Sequence, residues 1–472
     1  MDYTELVNHM SLREQARLVT GADFWHTWSA VKYGLPSIMV SDGPNGLRKE
    51  EKHKAIKAIC FPSATALAAS FDRGVLAHVG KTVANECKAK RVSVLLGPGI
   101  NIKRSPLCGR NFEYYSEDPV LAGELGAAFI NAVQAEGVGT SIKHFAANNQ
   151  ETNRNANDSH VSQRALRELY LKNFEIAVKE SNPWAIMTSY NKVNGLYACE
   201  DPALNETILR GEWGWNGLVM SDWNAGRDAA ASINAGNDLM MPGQDRQKEQ
   251  IMEAVKSGRI SMETLDRSVK RTLEFVMKGH TYQGYQYPNE TDLKAHSKIA
   301  REVGAEGIVL LKNEGNTLPM TSVKNIALYG TTSYDIVPAG MGFGATGHGY
   351  YCVSLIEGLR GAGYTIENSL ITPYKNHIAQ ENRKNNVGGM GGFSITTPPR
   401  ADEFIPDAKT LEANIAANDI AIITFGRANG EGADRLKSHF YLTENEAALI
   451  KTVSEAYHKA GKKVILVNCS GS

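Results

Sequence analysis

The chain has 472 residues, of which 42% are hydrophobic and 22% are charged. A chain of this length exceeds what one hydrophobic core accommodates, so two or more globular domains are expected. Lysine plus arginine and aspartate plus glutamate each number 51, which gives a formal net charge of zero. This balance disfavours nucleic acid and acidic membranes as the main partners.

The N-terminus and the cysteines indicate a cytoplasmic protein. Residues 1–5 carry neither the basic nor the apolar run of a secretion signal, and no window reaches the ~18 apolar residues of a membrane span. The six cysteines are widely spaced without a Cys-x-x-Cys pair, and no two of the twelve histidines have helical metal-ligand spacing. We therefore expect reduced thiols, no bound metal and no cofactor.

Strand-like and helix-like segments alternate over roughly the first 280 residues. The predicted strands are Ser37–Val40, Val92–Gly97, Gly139–His144, Ala185–Tyr190, Gly217–Asp222 and Asn237–Met241. The amphipathic segments between them include Asp72–Lys90, Pro119–Glu136, Gln163–Glu180 and Arg246–Ser257. Repeated β–α units predict a (β/α)8-type barrel, in which functional groups collect at the carboxyl ends of the strands.

The sequence changes character near residue 285, where Tyr282–Asn289 is polar and turn-rich. Beyond it we predict helices at Ala295–Leu311 and Thr443–Ala460, and strands at Asn325–Tyr329, Tyr364–Glu367, Ile420–Phe425 and Val464–Asn468. This pattern predicts a second α/β domain with an open sheet. We assign residues 1–285 to the barrel, 286–318 to a linker with a lead-in helix, and 319–472 to an α/β sandwich domain.

Two features of the second domain stand out. The Asn-, Gly- and Pro-rich stretch Lys375–Pro406 predicts a long loop that covers a site. The sequence stops directly after a predicted strand. We therefore expect a sandwich domain that is incomplete here or that another chain completes.

The segment Leu218–Trp223 carries the most informative motif. An apolar run ends on Asp222, and the indole of Trp223 follows at once. A carboxylate at a strand end can attack a carbon centre or hold a proton, and an adjacent indole offers an apolar face for a sugar ring. Read alone, Ser-Asp is equally typical of a helix N-cap or a turn.

Other polar groups follow predicted strands. Asp42 and Arg48 lie in a Gly/Pro-rich stretch that is typical of a turn, where Arg48 would keep the carboxylate ionised. Arg110 pairs with a nearby glutamate or donates to a ligand, and spacing alone does not decide between the two. Lys143 and His144 end one strand together, and two buried polar heads need partners.

Two glycine-rich segments allow more than one interpretation. Gly342–Gly347 matches the dinucleotide fingerprint as a string, and Glu367 follows at the spacing of a ribose-binding acid. Because the preceding strand ends more than ten residues earlier, a flexible loop is favoured over a nicotinamide site. Glu431 lies in Asn429–Arg435, a charged glycine-rich segment that by composition is typical of a surface turn.

Taken in order, these motifs resemble those of glycoside hydrolase family 3, β-glucosidase type. The resemblance covers nearly the whole chain. It rests on Ser41–Pro44 with Arg48, Gly97–Asn101, Arg110–Glu113, Ser116–Pro119, Lys143–Phe145, Met187–Asn191, Val219–Trp223, Glu306–Asn313 and Gly430–Arg435.

The resemblance implies a barrel followed by an α/β sandwich domain, with the sugar bound between them. It implies a retaining, exo-acting β-glucosidase that hydrolyses β-glucosides or cello-oligosaccharides. Asp222 would be the nucleophile and Glu431 the acid/base. The sugar hydroxyls would meet Asp42, Arg48, Arg110, Lys143, His144 and Tyr190, with Trp223 against the ring.

Retaining hydrolysis sets electrostatic requirements on these residues. The two carboxyl groups must lie about 5–5.5 Å apart. We expect Lys143 and nearby hydroxyl donors to lower the pKa of Asp222, and we expect Glu431 to be protonated at rest. Arg435 is expected to point away from Glu431, because its charge would oppose that protonation.

Alternatives stay open within and outside this family. A β-xylosidase is one, because Asp42 does not by itself demand a 6-hydroxymethyl group. A β-N-acetylglucosaminidase is another, since Asp158-Ser159-His160 is similar to the His–Asp pair of that branch, although the segment after Phe145 lacks its Pro-Gly-His-Gly. Two further classes are a nicotinamide-dependent oxidoreductase and a non-catalytic sugar-binding protein.

Overall fold

The computed structural model describes residues 3–51, 54–288, 290–336, 340–341, 348–349, 351–385, 400–428 and 430–470. The glycine-rich string Gly342–Gly347 lies outside these residues, as do residues 386–399 of the predicted loop. Within the described ranges, no helix combines the length and the apolar character needed to cross a bilayer. All six cysteines are free thiols.

The N-terminal half is a barrel whose central strands run parallel, and two pairs of its short strands run antiparallel. Its strands are β1 (Val40–Asp42), β2 (Glu50–Glu51), β3 (Lys54–Ala55), β4 (Lys57–Ala58), β5 (Val94–Leu96), β6 (Gly139–Phe145), β7 (Asp158–Ser159), β8 (Ala185–Thr188), β9 (Lys192–Val193), β10 (Leu196–Tyr197) and β11 (Leu218–Ser221). The central sheet has the order β1-β5-β6-β8-β11, and each neighbouring pair is parallel. The carboxyl ends of these strands therefore meet at one mouth.

Helices surround this sheet. They are α1 (Tyr3–Asn8), α2 (Leu12–Leu18), α3 (Ala64–Ala68), α4 (Arg73–Ala89), α5 (Pro119–Ala135), α6 (Gln163–Ala165), α7 (Lys172–Ser181), α8 (Ala229–Asn234), α9 (Asp245–Lys256) and α10 (Met262–Lys278), with π-helical segments at Leu166–Tyr170 and Ala203–Glu212. Aspartates cap two of the long helices: Asp72 accepts from Gly74 N at the start of α4, and Asp118 accepts from Val120 N beside Pro119 in α5. These caps satisfy amide groups that the first helical turn leaves unpaired.

The barrel strands are apolar on both faces because both faces are covered. Val94 and Leu96 pack into the interior with Met187 and Met220, whereas Leu95 packs outward against the helices. A parallel strand buried on both sides shows a continuous apolar run, and this made the strands recognisable in the sequence.

The second half is an α/β sandwich. It is preceded by α11 (Leu293–Glu306), whose Val303 packs into the core of the barrel. The elements that follow are β12 (Asn325–Tyr329), β13 (His348–Gly349), α12 (Leu355–Gly361), β14 (Thr365–Ile366), α13 (Ile371–Lys384), α14 (Ala408–Ala417), β15 (Ile420–Arg427), α15 (Glu444–Lys459) and β16 (Lys463–Ser470). Its parallel sheet has the order β14-β12-β15-β16. α13, α14 and α15 contribute Tyr374, Leu411 and Val453 to the core on one face, and α12 contributes Ile356 to the other.

The predicted order of a barrel followed by a sandwich domain is confirmed, with differences in detail. The predicted strand Asn237–Met241 forms only isolated bridges, Leu239 with Met220 and Met240 with Thr20. The lead-in helix ends at Glu306, so residues 308–311 are exposed and have no regular secondary structure. The first ten residues of the predicted loop Lys375–Pro406 are helical, because α13 extends to Lys384 with Tyr374 and Ile378 buried.

Candidate active site

Asp222 lies at the mouth of the barrel, directly after β11. Its side chain is 6% exposed, and Trp223 N donates to Asp222 Oδ1 at 2.7 Å. The other oxygen, Oδ2, is buried and has no hydrogen-bond partner among the described residues; His144 Nε2 lies 3.7 Å from it. One oxygen of this carboxylate is therefore held in place while the other is left available.

The pKa of Asp222 shifts in the direction opposite to the expectation. Burial raises the pKa of Asp222 above its usual value, whereas the cations Arg110 and Arg154 oppose that rise. The predicted lowering by Lys143 is wrong because Lys143 bonds a different carboxylate. Its Nζ lies 2.7 Å from Asp42 Oδ1 at the end of β1.

A chain of charges runs from this lysine across the mouth. Lys143, 2% exposed, also lies 3.6 Å from Glu113 Oε1. Glu113 in turn accepts two bonds from Arg110, at 2.8 and 2.7 Å, in a bidentate arrangement. The structure thus pairs Arg110 with Glu113, and the pairing aims Arg110 Nη1 to within 3.8 Å of Glu431 Oε1.

His144 is fixed by its backbone and by its ring. Asn101 bonds both its amide and its carbonyl, at 2.8 and 2.9 Å. Tyr114 Oη contacts the ring at Nδ1, 3.0 Å away. Burial, with the neighbouring cations Arg110 and Lys143, lowers the pKa of His144 well below its usual value. The ring is therefore neutral, with Nε2 directed at Asp222.

Glu431 reaches the same mouth from the sandwich domain, on the loop that follows β15. It is 5% exposed, and Arg154 Nη1 lies 2.8 Å from its Oε1. The sequence predicts a protonated Glu431 at rest, whereas a guanidinium in direct contact favours an ionised partner. Arg435 Nη2 donates instead to Pro106 O at 2.6 Å.

The remaining predicted residues border this cluster. The Tyr190 ring lies 4.2 Å beneath the Arg154 guanidinium, and burial, with the charge of Asp222, raises the pKa of Tyr190 well above its usual value. The Trp223 ring lies 5.9 Å from Phe24 and 5.7 Å from Trp25, with its Nε1 bonded to Phe24 O. Arg48 is anchored through its amide to Asp42 O at 2.8 Å, and its guanidinium pairs with Glu50.

Two models of one family match both halves of the chain. The glycosyl hydrolase family 3 N-terminal domain matches residues 10–275, and the family 3 C-terminal domain matches residues 308–472. The first match alone covers more than half of the chain. The chain belongs to glycosyl hydrolase family 3.

Curated and solved relatives agree with this membership. The family 3 chain is 40% identical over its full length to thermostable β-glucosidase B of Acetivibrio thermocellus, of which it covers 60%. It is 43% identical, over 67% of its length, to an exo-α-(1→6)-L-arabinopyranosidase of Bifidobacterium longum, of which it covers 42%. The structure of β-glucosidase 3B from Thermotoga neapolitana in complex with α-D-glucose matches the whole chain at a TM-score of 0.94 and 40% identity, and 69% of that protein is covered.

This family 3 chain spans about 60% of the length of the first of these curated relatives. Among the described residues, no three His, Cys, Asp or Glu side chains are grouped so as to hold a metal ion. His160 of the alternative Asp158-Ser159-His160 motif is 81% exposed. The buried cluster around Asp222 is therefore the candidate site.

Sequence reasoning missed two residues of this cluster, Glu151 and Arg154. Glu151 is fully buried, and its Oε2 accepts from Arg154 Nη1 at 2.9 Å. Burial raises the pKa of Glu151, and Arg110 and Arg154 oppose the rise. A signal existed in the sequence, because a run of polar residues starts at Asn148, three positions after β6, but nothing in their spacing shows which of them are buried.

Proposed function

We propose that the chain carries the catalytic machinery of a retaining, exo-acting β-glucosidase. One observation carries the proposal: Asp222 from the barrel and Glu431 from the sandwich domain, both buried, share Arg110 and Arg154 as charged neighbours. A pair of carboxyl groups about 5–5.5 Å apart is what retaining hydrolysis requires. Family membership and the β-glucosidase relatives support the same activity.

Asp222 is the nucleophile in this proposal. Its unpartnered Oδ2 is free to bond the anomeric carbon, whereas Oδ1 is held by the Trp223 amide. Attack by Oδ2 on that carbon displaces the aglycone oxygen and forms a glycosyl ester. Burial raises the pKa of Asp222, which makes the carboxylate a stronger base, and Arg110 and Arg154 oppose that rise and so favour the ionised form that attacks.

Glu431 is the acid/base. It gives its proton to the departing oxygen in the first step, and in the second step it takes a proton from the water that hydrolyses the ester. Because Arg154 favours an ionised Glu431, we propose that sugar hydroxyls take over part of the Arg154 contact when substrate binds. Glu431 then holds a proton during glycosyl transfer.

The substrate pocket follows from the same cluster. Asp42 and Lys143, bonded to each other and buried, offer an acceptor and a donor to vicinal hydroxyls. Arg48, Arg110, His144 and Tyr190 surround the same mouth, and Trp223 provides an apolar face for the ring. Many polar groups are buried here, and each of them needs a hydrogen-bond partner. The hydroxyl groups of a terminal sugar can supply these partners, so we expect a terminal sugar and not a sugar in the interior of a polymer.

The proposed activity leaves open which terminal sugar the protein prefers. The relative from Bifidobacterium longum acts on L-arabinopyranosides, and β-xylosides and β-N-acetylglucosaminides are also within reach of the family. We propose β-glucosides as the preferred substrates. Measurement of kcat/KM on the four matching aryl glycosides should rank the β-glucoside first, and a different first rank would reassign the substrate.

A trapping experiment tests the nucleophile. The protein is incubated with a 2-deoxy-2-fluoro-β-glucoside that bears a good leaving group, and its peptides are analysed by mass spectrometry. We expect a fluoroglucosyl ester on Asp222. An ester on another residue would reassign the nucleophile. Turnover of nicotinamide cofactor, or sugar binding without an ester, would favour the oxidoreductase or the binding-protein alternative.

A second experiment tests the acid/base. Glu431→Ala should lose most activity on glucosides with poor leaving groups and retain formation of the ester from activated aryl glucosides. Azide should then rescue turnover and yield glucosyl azide. Equal losses on both substrate types would remove Glu431 from this role.

The cytoplasmic location, and a chain segment that completes the sandwich domain, stay predictions.

A further inference from the structure

The segment that carries Glu431 is bonded to the barrel at several points. We call residues 430–435 the acid loop. Within it, Asp434 Oδ1 accepts from Gly109 N at 3.1 Å and from Glu151 N at 2.9 Å, and Asp434 Oδ2 accepts from Thr152 N at 3.1 Å. All three donors are backbone amides of barrel loops, so one carboxylate ties two of those loops to the sandwich domain.

The acid loop also donates hydrogen bonds to atoms of the barrel. Asp434 N donates back to Thr152 Oγ1 at 3.3 Å. Arg435 N donates to Leu107 O at 2.8 Å, and Arg435 Nη2 donates to Pro106 O. The acid loop is thus held on both sides of Asp434 by barrel atoms.

Glu151 fixes the other end of the acid loop. Its Oε2 accepts from Gly432 N at 2.7 Å, immediately after Glu431, and also from Arg154 Nη1 at 2.9 Å. The same Arg154 nitrogen lies 2.8 Å from Glu431 Oε1. One buried carboxylate therefore holds both the backbone beside Glu431 and the cation against the Glu431 side chain.

We propose that Asp434 is a positioning residue, and that with Glu151 it forms an interdomain latch that places Glu431 over the barrel mouth. The inference rests on the proposed function, because it takes Glu431 as the acid/base that the latch positions. The distance between the two reacting carboxyl groups is set by contact between separate domains, and the latch supplies that contact. A shift of about 1 Å at a reacting group can cost on the order of 100-fold in rate.

The test compares leaving groups. Asp434→Ala removes the carboxylate that accepts from all three amides, and Asp434→Asn keeps one acceptor oxygen at nearly the same volume. We expect each variant to lose at least about tenfold more activity on an alkyl or cellobiosyl glucoside than on a dinitrophenyl glucoside, with the smaller effect for Asn. Azide should accelerate the variants on the activated substrate and yield glucosyl azide, as in Glu431→Ala.

Asp419→Asn is the matched control. Asp419 Oδ2 accepts from the backbone amides of Lys324 and Asn325, both at 2.8 Å, at the opposite end of the sandwich sheet. The Asp419→Asn substitution weakens hydrogen bonds of the same charge-assisted kind at a site away from the acid loop. We expect a lower Tm but an unchanged ratio of activities on the two glucosides.

Amide hydrogen exchange tests the latch independently of the proposed function. Faster exchange of the Gly109, Glu151 and Thr152 amides in the Asp434 variants shows that the latch exists, whatever the reaction is. A wild-type protein without glucosidase activity would overturn the proposed function. Wild-type exchange in Asp434→Asn, or equal losses on both glucosides without azide rescue, would overturn the latch.

Discussion

Arg154 of the barrel and Glu431 of the sandwich domain form an ion pair across the domain boundary, with 2.8 Å between Nη1 and Oε1. The same guanidinium lies over the Tyr190 ring and is one of the cations that limit the pKa of Asp222. Arg154 therefore connects the proposed nucleophile, the proposed acid/base and the wall of the pocket, although its position in the sequence carries no recognisable motif.

Replacing Arg154 should move the pH dependence of the reaction. Arg154 lowers the pKa of Asp222 against the larger effect of burial, so Arg154→Met should raise that pKa further. Because Asp222 must be ionised to attack, the acidic limb of the kcat/KM profile should shift to higher pH. Breaking a buried ion pair should also cost about 3–5 kcal/mol of unfolding free energy.

Arg154→Lys is the control for this charge effect. It keeps the positive charge but loses the planar fork that spans two carboxylates. Its acidic limb should stay near that of the wild-type protein even though its rate falls. An unshifted acidic limb in Arg154→Met would show that Arg154 does not set the charge of Asp222.

Asp222→Asn should inactivate the protein and stabilise it. Activity should fall by on the order of 10⁴-fold or more, as for the loss of other covalent nucleophiles. The pKa of Asp222 is raised in the folded state, so the ionised carboxylate lowers the free energy of unfolding at any pH above that folded pKa. The variant should therefore have a higher Tm at pH 7, and this gain should shrink as the pH falls through the folded pKa and vanish below the unfolded pKa.

Asp419→Asn should behave in the opposite way in the same thermal measurements. Amide hydrogen bonds lower the pKa of Asp419. Its ionised form therefore stabilises the fold above the unfolded pKa, and that contribution is lost as the pH falls through the lower folded value. A lower Tm for both variants at pH 7 would contradict the assigned cost of burying Asp222.

Gly109→Ala should displace the acid loop. A Cβ at Gly109 would overlap the carbonyl oxygens of Gly430 and Ala433. Since both are backbone atoms, the loop must move. We expect a loss of about tenfold to 100-fold in kcat/KM on glucosides with poor leaving groups. Gly361→Ala, where a Cβ meets nothing within 4 Å, should have wild-type activity.

Phe24 should contribute to binding of the aglycone. Its ring is 43% exposed and lies 5.9 Å from the Trp223 ring. Stacking of an aromatic aglycone on such a surface is worth about 0.5–1.5 kcal/mol. Phe24→Ala should therefore raise KM for nitrophenyl glucoside about 2- to 12-fold and leave KM for methyl glucoside unchanged. Equal changes for both substrates would place the aglycone elsewhere.

Much of the fold could be predicted from the chain. β6, β12 and the helix α5 occur within one residue of their predicted bounds, because buried parallel strands and capped amphipathic helices leave local patterns. The segment at Asn237–Met241 was harder to predict. It completes the barrel through isolated bridges rather than a ladder, and an apolar run does not reveal how many backbone bonds it makes.

The sequence by itself determined the order of the domains, and its resemblance to family 3 motifs named Asp42, Lys143, Asp222 and Glu431 as candidate site residues, because those motifs follow one another in the same order along the chain. Only the tertiary structure decided which charges meet. Lys143 bonds Asp42 and not Asp222, and Arg154 reaches Glu431 across 277 positions of sequence. Coulomb energies and desolvation depend on distance and burial in space, and no local pattern of residues encodes either of them.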